Sequence, residues 1–254
     1  MRIAVAGGTG WLGKLIVERL NAAGDDVVVL ARSTGVDLTS GEGLAEKLDG
    51  VETIIDATNI VTRSKRASVD FFRSVSGNLM TAAKQAGVGH VVAISIIGAD
   101  IVDLPYYFGK RVQEDLVLHG DVPGTVVRVS QFHEFAAQML AAKGVFVIAP
   151  KILSQPIGIV DVAPHMVELA HREPQGLAPD LAGPDEHLRM QDMVKRLAKV
   201  VGERRPIVPI GMPGKVGKQL TGGDLLPTGP GPRGTQTFDQ WLDLQTAAQG
   251  MTRA

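Results

Sequence analysis

The chain has 254 residues, 44% hydrophobic and 21% charged, enough for a substantial core in one large domain or in a domain with an appended lobe. Its net charge is −1 and it has no long basic run, which argues against nucleic-acid binding by bulk electrostatics. With no cysteine, disulfides, thiol nucleophiles and cysteine metal sites are excluded; with no apolar run long enough for a bilayer, the expectation is a cytoplasmic protein without a membrane partner.

Ile3 to Ala6 read as a buried parallel strand. The turn Gly7-Gly8-Thr9-Gly10-Trp11-Leu12-Gly13 follows, and then a helical pattern through Leu12, Leu15, Ile16 and Leu20. Gly7, Gly10 and Gly13 are spaced GxxGxxG, and Gly8, Gly10 and Gly13 fit GxGxxG. In a dinucleotide-binding turn the first glycine permits the bend, the middle one admits the pyrophosphate and the last lets the helix pack on the strand. The free N–H groups at the helix start then face phosphate.

Asp26 to Leu30 form the second strand. An NAD site places an acidic residue near its end, to hold the ribose 2′-hydroxyl. This chain has Ala31-Arg32-Ser33-Thr34 there, so the expected cofactor is NADP(H) in preference to NAD(H), with Arg32 on the 2′-phosphate and Ser33 and Thr34 as added donors.

A short helical pattern (Gly43 to Leu48) and a strand (Val51 to Asp56) come next. The loop Ile60 to Ala67, with Arg63, Lys65 and Arg66, reads as a solvated charged loop or a mobile flap. Ser68 to Ala86 is a long helix stopped at Gly87, His90 to Ile94 a strand, Pro105 to Leu118 a helix and Thr125 to Arg128 a strand. Alternation of this kind predicts an α/β fold: a Rossmann-type, doubly wound parallel sheet with ligands beyond the carboxyl ends of the strands. Gly7–Gly13, Arg32, Ala57, Thr58, Asn59, Ser95, Gln131 and Phe132 fall on that rim.

Further on, Lys143 to Pro150 and Ile157 to Val160 read as short strands, Asp161 to His171 and Met190 to Val201 as helices, and Ile207 to Ile210 as a last strand. Gly211 to Gly234 reads as a long loop before a helix restarts at Thr237. The expected organisation is a single domain over 1–254, with a core over roughly 1–150 and a small interleaved C-terminal substrate lobe over roughly 151–254.

The expected chemistry lies between Ser95 and Glu114. Tyr106 and Lys110, four residues apart, share one helical face if Pro105 opens the helix. An ammonium beside a phenol favours the phenolate, so a proton donor to a carbonyl is expected at Tyr106, or at its neighbour Tyr107. Ser95 can hydrogen-bond the same oxygen, and Lys110 can also hold the nicotinamide ribose. His133 and Glu134 are either substrate-pocket residues or a packed loop pair; Phe132, Phe135 and Met139 are either pocket wall or core. The six histidines show no metal-ligand spacing, so no metal site is expected.

The glycine turn, Leu-Ala-Arg-Ser at 30–33 and Ile-Asp-Ala-Thr-Asn at 55–59 resemble the short-chain dehydrogenase/reductase superfamily. Pro105 to Glu114, Val127 to Phe135, Gln155-Pro156, Asp161-Val162-Ala163 and Ala182-Gly183-Pro184 resemble its atypical NmrA-like branch. That resemblance implies NADP(H) across the sheet rim and either of two functions. One is a reductase of a small carbonyl or quinone. The other is a non-catalytic NADP(H)-sensing regulator acting through a protein partner. The partners expected are a small-molecule substrate, with a regulatory protein or a homo-oligomer as further possibilities.

Overall fold

The computed structural model describes residues 1–184 and 187–252. In chain order the elements are β1 (Arg2–Ala6), α1 (Trp11–Ala23), β2 (Asp26–Leu30), a 3-10 turn (Arg32–Thr34), α2 (Leu44–Lys47), β3 (Thr53–Asp56), α3 (Lys65–Ala86), β4 (His90–Ile96), α4 (Tyr107–Leu118), β5 (Gly124–Val129), α5 (Glu134–Ala141), β6 (Val147–Pro150), β7 (Leu153–Ser154), α6 (Ile159–Ala170), β8 (Gly176–Leu177), β9 (Leu188–Arg189), α7 (Met190–Val201), β10 (Ile207–Ile210), α8 (Gly214–Gly222) and α9 (Phe238–Thr252). They form two compact units, Met1–Arg128 with Val162–Pro179, and Val129–Asp161 with the chain from Asp180 onward. The chain therefore divides at 129 instead of near 150, and α6 and β8 return to the first unit.

The first unit carries a six-stranded sheet in the order β2-β1-β3-β4-β5-β8. The pairs β1–β2, β1–β3, β3–β4 and β5–β8 run parallel, which fits the Rossmann-type α/β class. Ile3, Ala4, Val5 and Ala6 are all fully buried, as a central strand covered on both faces requires. On one face Ala4, Ala6, Ile54, Val91, Ala93 and Val126 pack with Leu44, Leu79, Ala83 and Val117 from the helices. The long helix α3 starts at Ser64, whose hydroxyl accepts the Ala67 N–H at 3.2 Å, and stops at Gly87, left-handed at φ 72°. The chain winds from β1 out to β2 and then crosses to β3 on the other side of β1, so the order switches at the β1/β3 pair, where the strand ends open the crevice in which ligands bind in such sheets.

The second unit pairs β6 with β10 in parallel and β7 with β9 antiparallel. The apolar stripe Met190, Met193, Val194, Leu197 and Ala198 of α7 packs with Val147, Ala149, Phe238, Trp241 and Leu242. Three expectations need correction here. Ile157 to Val160 is not a strand: Ile157 makes an isolated bridge to Phe132 and Ile159 already opens α6. The strand expected from Lys143 begins only at Val147. The expected loop from 211 to 234 contains α8, where Gly217 lets the helix close on Met212; a Cβ there would lie 1.6 Å from the Met212 carbonyl oxygen.

Candidate functional site

β1 leads directly into the glycine turn. Gly7 is left-handed at φ 75°, and a Cβ on it would lie 2.8 Å from the Ala57 carbonyl oxygen. Gly13 is tighter still, since a Cβ there would lie 2.1 Å from the Gly7 carbonyl oxygen. The turn is thereby wedged between the ends of β2 and β3: Gly7 N–H donates to Leu30 O at 3.2 Å, and Ala57 N–H to Ala6 O at 3.0 Å. Thr9, Gly10 and Trp11 are exposed, whereas the Leu12 side chain and Gly13 are buried. Gly10, the N-cap of α1, brings no side-chain cap. The first-turn N–H groups are thus free to hold an anion. The cradle fits a dinucleotide's diphosphate, and with the Leu12 side chain turned inward and Gly13 bare, these two positions offer it backbone only.

Arg32 and Ser33 are exposed on the 3-10 turn that follows β2. Among the described residues Arg32 forms no ion pair with a carboxylate. Thr34 differs from expectation as an added donor. Its hydroxyl oxygen accepts the Ala31 N–H at 3.1 Å and lies 2.7 Å from Val29 O and 2.8 Å from Ala31 O, so it closes its own turn.

At the end of β3, Ala57 is half-buried and Asn59 exposed. Thr58 is turned inward: its hydroxyl donates to Asp56 Oδ1 at 2.6 Å. The Asp56 carboxylate, fully buried, also accepts the Thr58 N–H at 3.0 Å and the Gln113 carboxamide at 2.7 Å. The motif reading missed this polar cluster. Asp56 lies within a quoted segment, but its partner Gln113 is 57 residues away.

Among the described residues no hydrogen bond joins Ser95, Tyr106 and Lys110; each is engaged by another partner. Tyr106 precedes α4 as its N-cap and donates its hydroxyl to Asn59 Oδ1 at 2.6 Å. Burial, then Tyr107 and Asp56, push its pKa up, opposite to the expected lowering. Lys110 is 3% exposed. It donates to Ile94 O at 3.0 Å and Gln113 Oε1 at 2.8 Å, with its Nζ 4.5 Å from the Phe72 ring centre. Desolvation lowers its pKa to about 8, against the opposing pull of Asp56 and Glu114. Ser95 is buried and donates to Glu114 Oε1 at 2.5 Å; Glu114 also takes Arg128 through both oxygens, at 3.0 and 2.7 Å. The reason is chemical. A buried lysine needs acceptors, and the nearby phenol is held by Asn59, whereas the Ile94 carbonyl and Gln113 are at hand. Tyr107 is buried at 5% exposure, so of the two phenols Tyr106 is nearer the rim surface.

Gln131 and Phe132 lie in the second unit, where Phe132 stacks on Phe135 at 5.4 Å. His133 is fully buried there, edge-on to Phe238 at 5.4 Å, and its two ring nitrogens form no well-aligned hydrogen bond. Desolvation holds its pKa down to about 4, so the ring is neutral near pH 7. Glu134 accepts the Trp241 indole N–H at 3.1 Å, and burial raises its pKa.

Residues 3–96 match the NAD dependent epimerase/dehydratase family. The Photosystem II assembly factor Ycf39 of Synechocystis is 27% identical over 149 residues, 52% of this chain and 45% of that protein, so the match spans less than half the length of this relative. Among solved structures, a dTDP-glucose 4,6-dehydratase of Streptomyces venezuelae, DesIV, with NAD and TYD bound, superposes with a TM-score of 0.71 at 17% identity over 91% of this chain and 88% of that one. MoeE5, in complex with UDP-glucose and NAD, gives 0.70 at 18% identity over all of both chains. A short-chain dehydrogenase/reductase superfamily protein of Agrobacterium tumefaciens with bound NAD gives 0.69 at 16% over 100% and 98%. At these identities the structural likeness is one of fold. With the match over residues 3–96, it bears out the resemblance to the short-chain dehydrogenase/reductase superfamily. Among the described residues no helix is long and apolar enough to cross a membrane.

Proposed function

We propose that the protein is an NADPH-dependent oxidoreductase that reduces a small quinone or carbonyl compound by hydride transfer. The observation that carries this reading is the uncapped start of α1 at the glycine turn, together with an exposed Arg32, in no ion pair among the described residues, where an NAD site would place an acid. The first-turn N–H groups of α1 bind the diphosphate, Arg32 and Ser33 read the 2′-phosphate, and Asn59 and Lys110 serve the nicotinamide half. Bound there, the reduced nicotinamide supplies the hydride. The chain's own phenol is a poor acid in this setting, because burial keeps Tyr106 protonated and its proton is committed to Asn59. A quinone suits such a site: its hydride adduct is a hydroquinone anion that takes its second proton from water. The test is NADPH oxidation against a panel of quinones, ketones and aldehydes. Quinone-dependent turnover is expected; no turnover above background in protein that binds NADPH overturns the reading.

One observation favours a second reading, a non-catalytic NADP(H) sensor working through a protein partner. Among the described residues Ser95, Tyr106 and Lys110 each hydrogen-bond a partner outside the trio. A pull-down with and without NADPH tests it. A partner set that changes with cofactor supports sensing, and an unchanged set argues against it.

A further inference from the structure

Behind the rim, Asp56, Gln113 and Lys110 are linked hand to hand. Gln113, 1% exposed, donates its carboxamide NH2 to Asp56 Oδ2 at 2.7 Å and accepts Lys110 Nζ on its oxygen at 2.8 Å. The neighbours dictate this orientation. A carboxylate only accepts and an ammonium only donates, so the amide has one way to satisfy both. A polarised amide between opposite charges also passes part of the carboxylate's field to the ammonium.

The other groups around Lys110 are weaker counter-charges. Glu114, on the same helix, is already engaged by Arg128 and Ser95, and Arg128 reaches Asp100 as well. Packed α3 contributes the Phe72 ring and, against Asp56, the Ser76 hydroxyl at 3.5 Å, neither of them charged. β4 contributes the Ile94 carbonyl. Tyr106 is held to Asn59.

We propose that Gln113 is the positioning residue of Lys110, fixing its ammonium beneath the end of β4 and relaying the Asp56 charge that keeps it protonated for a ligand at the rim. The ligand side of this statement rests on the proposed function; the coupling of Gln113 to Lys110 does not. The lysine of ligand-free, full-length protein can be titrated by carbon-13 NMR of its ε-carbon, assigned by its loss in Lys110→Met. In Gln113→Leu the midpoint is expected to fall by about one pH unit, the effect of losing a hydrogen bond to a charged group. Gln113→Met, which keeps the length and packing of the side chain without either hydrogen bond, is expected to lower it as Gln113→Leu does, which a purely packing role would not produce. Asp56→Asn, which keeps the shape but removes the charge and the acceptor that Gln113 uses, is expected to lower it if Gln113→Leu does not fold. Midpoints unchanged in these variants overturn the proposal.

A second measurement separates the two readings. NADPH affinity across about pH 6 to 10 is expected to lose its alkaline limb at a lower pH in Gln113→Leu, in step with the NMR midpoint. If the NMR midpoint moves while NADPH binding has no Lys110-dependent limb, the coupling stands and the role of Lys110 toward cofactor falls.

Discussion

A lysine ammonium taken out of water loses hydration that two hydrogen bonds and one aromatic face only partly replace, and at Lys110 that loss pushes the pKa down. Burial lowers its pKa to about 8 in the folded chain, from the ordinary 10.5 of a lysine in water. Between those two pH values the unfolded chain binds the extra proton, so this group's contribution to stability rises with pH across the window and is lost as pH falls to about 8. Urea midpoints at about pH 8 and 10 are expected to show this gain in the wild type and not in Lys110→Met. His133 works in the acid range. Held near 4, it binds fewer protons than the unfolded chain below 6.5, so stability is lost as pH falls from 6.5 toward 4. His133→Phe, which fits the Phe238 and Trp241 surroundings, is expected to flatten that part of the acid unfolding curve. At the rim, Arg32→Ala is expected to weaken NADPH binding about ten- to a hundredfold and NADH binding much less, because only NADPH carries the phosphate that the guanidinium would pair with. Equal losses in a paired titration would remove Arg32 from that role. The four-residue spacing of Tyr106 and Lys110 was legible as a shared helical neighbourhood. What the two side chains bond was not, since it is decided by Asn59, Ile94 and Gln113, two of them on distant elements.

At the scale of the element, contact distances decide which glycines matter. Gly13→Ala forces a methyl group into the Gly7 carbonyl and is expected to abolish dinucleotide binding, read by titration with NADPH. Gly109→Ala would meet the Ser68 hydroxyl oxygen at 2.2 Å and Phe72 at 2.6 Å, so it pushes α4 off α3. A loss of about 1–3 kcal/mol in urea unfolding is expected. Gly24 is left-handed with nothing within 4 Å, so a side chain there meets backbone strain alone. The same scale explains what the sequence revealed. α7 was readable to the residue because its apolar positions repeat at helical spacing and Gly202 ends it. Ile157 to Val160 was misread because a short buried apolar run has no period of its own and serves a helix start equally well. α8 was hidden by its glycines, which composition reads as loop, although packing against Met212 requires one of them, Gly217. The two-residue strands β7, β8 and β9 carry no periodic signal at all.

For the whole molecule, the alternation of strands and helices was enough to give the parallel sheet, because each crossover must return its helix to a sheet face. The division into units was not legible, since it depends on which distant segments pack together. The crossing points at 129, 162 and 180 have a consequence for biosynthesis. A nascent chain that has reached the end of β5 still lacks α6 and β8, so the open edge of β5 waits for β8 and the Thr53 hydroxyl waits for the Ala170 carbonyl, 3.3 Å away in the finished fold. Meanwhile the second unit has begun but cannot close its core until Phe238 and Trp241 are made. Neither unit is complete when the other starts. Ribosome-stalled chains ending near 150 are therefore expected to be cut readily by protease, and protection of the β1–β5 region is expected to appear only once residues beyond 179 have left the exit tunnel.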